Sequence, residues 1–367
     1  MKTKKMRYVW FLVILCIFCL TLFLARTRSK VEMRNRIYHQ WNEHFVVSKG
    51  KESYVRTTND SNQTVVLSEA QSYGMLITVA AAEKGQAQQA DFDRLYHYYL
   101  NHRLEGTQLM SWKQTISNGK AKDEDHNATD GDLYIAYALL KAAQQWPKQA
   151  KDYQVQAKAI LEDILAHNYN EETGVLTVGN WANQDSEFYH LMRTSDTLPA
   201  QFQIFYEVTK DSKWLDIKEK MLQQLQAISS QTKTGLLPDF IWVDEQGTRV
   251  ADPKTIESKY DGAYSYNACR LPYNLVQSKD KTSQQLVKKM LNFFKSQRNL
   301  YAGYDLKGKA LNNHQAASFL APIVYASEHE KGYLKLVQQN KYIFTQDLPL
   351  NNYYDATMTT MIALELF

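Results

Sequence analysis

The chain has 367 residues, of which 44% are hydrophobic and 12% aromatic, enough to bury the core of one large domain or two ordinary ones. Only 14 glycines and 7 prolines occur, which favours helices over a turn-rich β protein and excludes a largely disordered chain. The net charge of +4 comes from the first 30 residues: seven of the 43 basic residues lie there, which leaves 36 basic and 39 acidic residues beyond them, a net charge of −3. A slightly acidic body gives no support for nucleic-acid binding.

The chain opens with an apolar segment. Residues 8–25 carry no charge and are flanked by basic residues on both sides. A run of this length is just long enough to span a bilayer as a helix. Because Leu24-Ala25-Arg26 is a poor signal-peptidase site, we expect residues 1–30 to be a retained signal anchor, that is, a transmembrane helix. The alternative is a cleaved signal peptide, which would leave a secreted form. Charges on both flanks leave the orientation open, and we expect the C-terminal body to lie outside the membrane because an export-like segment precedes it.

The remainder predicts a linker and lead-in at residues 31–66, with one amphipathic segment at 31–45, and a single domain at 67–367 that no Pro-rich or Ser-rich stretch divides. Apolar residues recur at helical spacing in eleven further segments: 70–84, 88–104, 131–146, 151–167, 198–209, 211–228, 264–277, 282–297, 313–327, 331–342 and 353–365. Alternating long and short connections predict an all-α barrel of helical hairpins. The strand content should be low, with one hairpin near Phe240–Val250.

Several chemistries lack their signatures in this sequence. Cys16 and Cys19 lie in the apolar segment and Cys269 is alone outside it, so no disulfide framework is expected, which fits an exported bacterial protein. The nine histidines form no His-Glu-x-x-His motif, and no Gly-x-Ser-x-Gly elbow or glycine-rich phosphate loop is present. We therefore expect no metal and no cofactor.

The acidic residues at predicted helix starts are the strongest candidates for chemistry. Asp130 lies at the predicted cap of the helix at 131–146 and Asp132 in its first turn, where the helix dipole favours ionised carboxylates, although a lone Asp before a helix is most often only an N-cap. Glu69 lies in the first turn of the first domain helix, beside Tyr73 and Met75. Partial burial there would raise its pKa and suit a general acid, whereas the alternative is a Glu that only complements the dipole.

Carboxylates combined with aromatic rings are typical of glycoside hydrolysis, in which one acid protonates the leaving oxygen, a second group activates water, and rings stack on sugar faces. The candidate rings are Trp112, Trp181 and Trp242, although any single Trp is more often part of the core.

Five segments, in order, resemble motifs of glycoside hydrolase family 8. They are SEAQSYGM at 68–75, MSWK at 110–113, ATDGDLYIAYALLKAAQQW at 128–146, GLLPDF at 235–240 and SYNACRLP at 265–272. The resemblance implies an (α/α)6 barrel of about twelve helices, preceded here by the transmembrane helix. It also implies an inverting, endo-acting hydrolase of β-1,4-linked glycans such as cellulose, mixed-linkage β-glucan, xylan or chitosan.

Carried over by motif, the resemblance implies that Glu69 is the general acid and that Asp130 binds and distorts the sugar beside the cleaved bond, with Asp132 supporting it. Trp112 would stack on a sugar ring, and Arg270 would bind substrate or orient a carboxylate. The substrate-contacting set implied in full is Trp112, Asp132, Trp181, Tyr266, Asn267 and Arg270.

One departure from the family pattern concerns the catalytic base. The main subgroup has an Asp base where this chain has Asn267, and a neutral amide cannot accept a proton from water. A second subgroup carries Asn there, and in some of its members a Glu from a nearby loop is the base. Asp196 is our first candidate for the base, because the main subgroup has a Tyr near the attacking water at that position; Glu257 and Asp261 are the others.

We therefore predict a membrane-anchored, extracellular bacterial glycosidase with a monomeric catalytic domain and a β-glycan substrate. Two alternatives stay open. One is a glycan-binding protein that lost its base at Asn267, and the other is a scaffold of an envelope polysaccharide export system.

Overall fold

The computed structural model describes residues 2–60 and 63–367. The described residues form twelve α-helices: α1 (Lys2–Phe45), α2 (Ser68–Glu83), α3 (Gln89–Asn101), α4 (Thr129–Gln145), α5 (Ala150–His167), α6 (Pro199–Thr209), α7 (Lys213–Ser230), α8 (Leu271–Val276), α9 (Lys281–Ser296), α10 (Ala317–His329), α11 (Leu334–Asn340) and α12 (Tyr353–Leu366). They also form eight short strands: β1 (Val46–Lys49), β2 (Glu52–Val55), β3 (Thr64–Leu67), β4 (Lys113–Ser117), β5 (Lys120–Asp123), β6 (Leu191–Arg193), β7 (Phe240–Asp244) and β8 (Gly247–Val250).

The helices form the predicted (α/α)6 barrel. The even-numbered helices make the inner ring, in which α2 packs on α4 and α12, and α10 on α8 and α12, while the odd-numbered helices lie outside them. The sequence explains why these helices are inner ones. Helices α2 and α4 are apolar almost all round and bury residues on every side, as a central helix must. Outer helices such as α9 bury one stripe, which includes Leu286, Met290 and Phe294.

Helix α1 has two parts with different environments. Residues 8–25 are exposed, and α1 is the one described helix long and apolar enough to cross a membrane. Its second part packs on α12 as the sixth outer helix: Trp41 and Phe45 are buried, and Trp41 Nε1 donates to Thr357 Oγ1 at 2.9 Å. The interpretation of 31–66 as a linker and lead-in is therefore corrected for residues 31–45, whose large aromatic side chains complete the barrel.

The two ends of the barrel differ. The connections that lead from outer to inner helices are long and carry three small antiparallel sheets, with strand orders β1-β2, β3-β4-β5 and β6-β7-β8. The hairpin predicted near Phe240–Val250 is confirmed as β7 and β8, and the other two sheets were not predicted. We call this the long-loop end. The connections from inner to outer helices, at the short-loop end, are brief: 84–88, 146–149, 210–212, 277–280 and 330–333.

The predicted helix at 264–277 is shorter in the structure. Residues 264–267 are not helical, a single 3-10 turn covers Ala268–Arg270, and α8 begins only at Leu271, followed by Pro272 at a position that helices tolerate. The preceding residues are instead held by a buried aspartate described below. This places Asn267 and Arg270 in the long-loop end, next to the starts of α2 and α4.

Candidate active site

The site begins where α2 and α4 start side by side. Glu69 lies in the first turn of α2 and Asp130 in the first turn of α4, so both carboxyl groups are at the long-loop end. Gly131 permits this close packing, because a Cβ at that position would lie 2.7 Å from Ser68 Cβ and would also overlap Ser68 Oγ. The close packing of α2 on α4 therefore requires a glycine between Asp130 and Asp132.

Asp130 is held between two buried arginines. Its Oδ1 lies 3.1 Å from Arg193 Nη1 and its Oδ2 lies 3.1 Å from Arg270 Nη1, while the backbone N–H of Gly131 donates to Oδ1 at 2.9 Å. Burial alone would raise the pKa of Asp130, but the two guanidinium groups outweigh it and hold the pKa below its usual value. Asp130 is therefore ionised at neutral pH.

Glu69 has the opposite electrostatic balance. Its Oε2 lies 3.8 Å from Arg270 Nη1, and its buried Oε1 has no hydrogen-bond partner within the described residues. Burial raises the pKa of Glu69 to about 7, with the Arg270 charge opposing the shift and the Asp130 charge adding to it. Two carboxyl groups in one site thus have pKa values shifted in opposite directions, so that Glu69 can still carry a proton near neutral pH while Asp130 is ionised, as acid catalysis requires.

Arg270 links the elements of the site. This guanidinium is 1% exposed and donates to Tyr73 OH at 3.0 Å, to Ser195 Oγ at 2.8 Å and to Asn267 Oδ1 at 3.1 Å. Its donors are therefore shared between α2, the 3-10 turn at 194–196 and its own loop. Its Nη1 lies 3.1 Å from Asp130 Oδ2 and 3.8 Å from Glu69 Oε2.

Glu257 is the carboxylate that meets Asn267. Asn267 Nδ2 donates to Glu257 Oε2 at 2.8 Å, and Arg193 Nη2 lies 3.5 Å from Glu257 Oε1. The Glu257 side chain is 45% exposed, so water reaches it. The loop that carries it is fixed by Asp261, whose buried carboxylate accepts backbone N–H groups of residues 256–258 at 2.7 to 3.0 Å. Asp261 is a positioning residue for this loop, since its oxygens are engaged there.

Asp196 contacts Arg193 but is buried below the protein surface. Its side chain is 1% exposed, its Oδ2 lies 3.6 Å from Arg193 Nη1, and neither oxygen has a hydrogen-bond partner within the described residues. Burial raises the pKa of Asp196 to about 7, with the Arg193 charge opposing the shift. Because the side chain is almost completely buried, Asp196 is poorly placed to take a proton from an attacking water molecule.

Asp132 does not face the other carboxylates. Its two oxygens accept the backbone N–H of Met110 and the Nδ2 of Asn127, both at 2.8 Å, and the residue is fully buried. Burial raises its pKa to about 8. The expected contact of Asp132 with substrate is therefore corrected: it fixes the segment that leads to Trp112.

Two residues of this site were missed from the sequence. Arg193 contacts three carboxylates, and only its place in the segment RTSDTLP could have indicated it. Asp239 lies in the GLLPDF motif, and its Oδ1 accepts the backbone N–H groups of Ser265, Asn267 and Ala268 at 2.7 to 3.2 Å. Burial raises the pKa of Asp239 to about 8. It is the residue that holds the non-helical loop before α8.

A row of aromatic rings continues from the site. Trp112 stacks on His126 with ring centres 5.7 Å apart, His126 meets Trp181 at 6.2 Å, Trp181 meets Phe188 at 5.4 Å, and Phe188 stacks on Trp242 at 6.3 Å. The three tryptophans are half-buried, so each is packed on one side and accessible on another.

A further ring, Tyr266, lies outside this row. It is 42% exposed and packs edge-on against Phe319, with ring centres 5.1 Å apart. Such half-buried rings are suited to sugar faces.

Among residues 2–60 and 63–367, no group of three or more His, Cys, Asp and Glu side chains is arranged to hold a metal ion. What the site offers is a carboxyl group that can carry a proton, an ionised aspartate, a water-accessible glutamate and aromatic surfaces. On an (α/α)6 barrel, this combination defines the class of protein as a glycosidase.

Comparison with known proteins places the chain within that class: it belongs to the glycosyl hydrolases family 8, whose family model matches residues 13–365. It is 31% identical over 298 residues to the beta-glucanase of Niallia circulans, covering 78% of this chain and 72% of that protein. It is 28% identical over 317 residues to endoglucanase A of Acetivibrio thermocellus, covering 83% and 62% of the two chains.

Solved structures support the fold. The apo structure of the beta-1,3-1,4-glucanase from Paenibacillus sp. X4 superposes with a TM-score of 0.82 at 24% identity and covers 93% of this chain and 92% of that one. A reducing end xylose-releasing exo-oligoxylanase superposes with a TM-score of 0.72 at 20% identity, covering 91% of each chain. At these identities the likeness establishes the barrel alone.

Proposed function

We propose that the chain is an inverting, endo-acting hydrolase of a β-1,4-linked glycan of the cellulose, mixed-linkage β-glucan or chitosan type. The observation that carries the proposal is the pairing of Glu69, whose pKa is raised to about 7, with the ionised Asp130 and the water-accessible Glu257 around two shared arginines. Endo action is supported by the row of rings from Trp112 to Trp242, which offers contacts to several sugar units, and by similarity to proteins named endoglucanase.

Glu69 is the general acid. Its proton passes to the glycosidic oxygen as the bond from that oxygen to the anomeric carbon breaks. The charge of Arg270, 3.8 Å away, stabilises the carboxylate that forms, so that the acid is strong enough to act while burial keeps it protonated beforehand.

Asp130 binds the sugar unit next to the cleaved bond. Fixed by Arg193 and Arg270, it presents an ionised carboxylate that accepts hydrogen bonds from sugar hydroxyls and stabilises the positive charge that develops on the ring. The two arginines make its position rigid, which is what distortion of a bound sugar requires.

Glu257 is the general base, in place of our first candidate Asp196. It accepts a proton from the water that attacks the anomeric carbon from the face opposite the leaving group, and the anomeric configuration inverts. Asn267 and Arg193 contact and orient its carboxyl group, and its exposure admits the water. Asp196, which is 1% exposed, is instead a buried ion-pair partner of Arg193.

The apolar part of α1 anchors the enzyme in a membrane, with the barrel on the outer side. A tethered hydrolase acts on a glycan near the cell surface, which fits trimming of a polysaccharide during synthesis or export. Removal of residues 1–30 with an unchanged cellular phenotype would contradict this role.

Product analysis of the detergent-solubilised full chain tests the activity. We expect new reducing ends from carboxymethyl cellulose, mixed-linkage glucan, xylan or chitosan, with a rapid fall in polymer length that indicates endo action. Glu69→Gln should retain oligosaccharide binding and lose turnover. Sugar binding without any released reducing ends in the unmodified chain would instead support the glycan-binding alternative, for which the Asn at position 267 is the supporting observation.

A further inference from the structure

Helix α1 runs antiparallel to α12, so its direction relates the membrane to the site. Trp41 Nε1 donates to Thr357 Oγ1 near the start of α12, whereas Arg34 Nη1 donates to the backbone oxygen of Phe367 at its end, at 3.0 Å. The end of α1 that leads to the apolar segment therefore lies beside the C-terminal end of α12.

The start of α12 is at the site, and its end is at the opposite side of the barrel. Tyr354 OH, in the first turn of α12, donates to the backbone oxygen of Tyr266 at 3.0 Å, next to Asn267. At the far end, Glu365 accepts from Tyr273 OH of α8 and lines one cavity with Lys84 and Gln277, which belong to two of the short connections. The apolar segment consequently leaves the barrel at the short-loop end.

The connection between the apolar segment and the barrel is short and stiff. Lys30 Nζ lies 5.4 Å from the ring centre of Phe367, so the barrel begins there. From Lys30 back to Ala25 is about 8 Å along an α-helix. α1 is one helix from Lys2 to Phe45 without proline or glycine, so nothing in it forms a hinge. The short-loop end is therefore about one Debye length at physiological salt from the end of the apolar segment.

Each connection at the short-loop end carries an exposed lysine. The basic short-loop ring consists of Lys84, Lys148, Lys210, Lys279 and Lys331. Three of these connections also carry an acidic residue, Asp211, Asp280 or Glu330, so the five connections together have five lysines against three acids and a net charge of +2. Glu330 lies 3.6 Å from Lys288, while Asp211 and Asp280 accept backbone N–H groups at the starts of α7 and α9. The short-loop end thus carries net positive charge on a body whose net charge beyond residue 30 is −3.

We propose that the basic short-loop ring rests on anionic phospholipid headgroups, so that the catalytic site faces away from the bilayer. Lysines within a Debye length of an anionic surface are attracted to it, and Arg26, Arg28 and Lys30 extend the same charge up to the apolar segment. The inference rests on the proposed membrane anchorage. It implies that glycan reaches the site from the side of the barrel that faces away from the membrane. A polymer that is free in solution would approach from this side.

Depth-dependent quenching in vesicles tests this orientation on the full chain. In a Cys16→Ser, Cys19→Ser background, where Cys269 is fully buried, a fluorophore is attached at Gln149→Cys in a short loop or at Gln184→Cys in a long loop. The vesicles contain a headgroup-attached nitroxide quencher in either phosphatidylglycerol or phosphatidylcholine. Flotation with both kinds of vesicle reports anchorage separately.

We expect several-fold stronger quenching at position 149 than at 184 in phosphatidylglycerol, and a loss of most of that difference in high salt or in phosphatidylcholine. Neutralising four ring lysines (Lys84, Lys148, Lys279 and Lys331 to Gln) should have the same effect. The matched control replaces four exposed long-loop lysines (Lys120, Lys122, Lys307 and Lys309) and should change nothing.

Two outcomes would overturn the inference while leaving anchorage intact. One is flotation with equal or reversed quenching at the two positions. The other is quenching at position 149 that neither salt nor the ring variant changes, which would mean that lipids do not contact the lysines. Absence of flotation would contradict the anchorage itself, whereas the glycosidase activity is measured independently.

Discussion

The side-chain amide of Asn267 donates a 2.8 Å hydrogen bond to the carboxylate of Glu257. The same amide group accepts from Arg270 through its oxygen, at 3.1 Å. Asn267 therefore connects the buried arginine beside Glu69 to the exposed glutamate that we propose as base. A neutral residue suits this position, because a carboxylate there would repel the charge of Glu257.

Asn267→Asp tests that relationship. The change replaces the amide that donates to Glu257 by a second carboxylate that repels it, so the acidic limb of the kcat/KM profile should move to higher pH. The measurement is a pH–rate profile on a soluble oligosaccharide. An acidic limb that stays in place would mean that Glu257 is not the group that sets it, and activity that rises at low pH would show that position 267 can itself supply the base.

The pKa of Glu69, raised to about 7, sets the alkaline limb. A general acid must be protonated, so kcat/KM should fall as the pH rises through about 7. Glu69→Gln should lose about 10²- to 10⁴-fold in kcat while oligosaccharide affinity stays near that of the unmodified enzyme. Asp185→Asn, at an exposed position in the same end of the barrel, is the matched control. Full activity of Glu69→Gln would remove this residue from the mechanism.

The contact between α2 and α4 predicts a steric defect. Gly131→Ala would place a Cβ against the Ser68 side chain, which should cost about 1–3 kcal/mol of unfolding free energy and move Asp130 away from its arginines. Adding Ser68→Gly should recover part of the stability, since it removes the Cβ that is in the way. Urea denaturation of the four variants measures the coupling, and additive effects would mean that the two positions do not touch.

Buried carboxyl groups predict how stability depends on pH. The pKa of Asp132 is raised by burial to about 8, from a usual value of 3.8. The folded chain therefore holds this proton more tightly than the unfolded chain does, and the stabilisation is complete at low pH and lost as the pH rises from about 4 to about 8, by at most about 1.4 kcal/mol per pH unit. Asp132→Asn should flatten this slope in urea denaturation between pH 6 and 8. An identical slope would mean that Asp132 is ionised in the folded protein.

The sequence predicted the elements of the site better than their roles. The carboxyls of Glu69 and Asp130 could be placed because each follows a local rule, an acid in the first turn of an amphipathic helix. Asp132 follows the same rule, yet in the structure it turns away to bind Met110 and Asn127. Local spacing does not distinguish these cases, because the partner that decides them lies elsewhere in the chain.

Tertiary hydrogen bonds account for what was missed. Asp239 organises residues 265–268 across almost 30 positions of sequence, and Arg193 meets carboxylates that lie both before and after it in the chain. Similarly, Trp41 is unremarkable in sequence but is buried where α1 meets α12. No periodicity signals such pairings, so the sequence alone neither places residues 31–45 in the barrel nor ranks Asp196 against Glu257.

The assignment of the base is the centre of the mechanism, and azide rescue tests it most directly. A small anion can enter the space left by Glu257→Ala and attack the anomeric carbon without needing proton removal, so azide should restore turnover and yield a glycosyl azide of inverted configuration, identified by NMR. Asp196→Ala should show no such product. Rescue of Asp196→Ala and not of Glu257→Ala, or a glycosyl azide of retained configuration, would contradict the account.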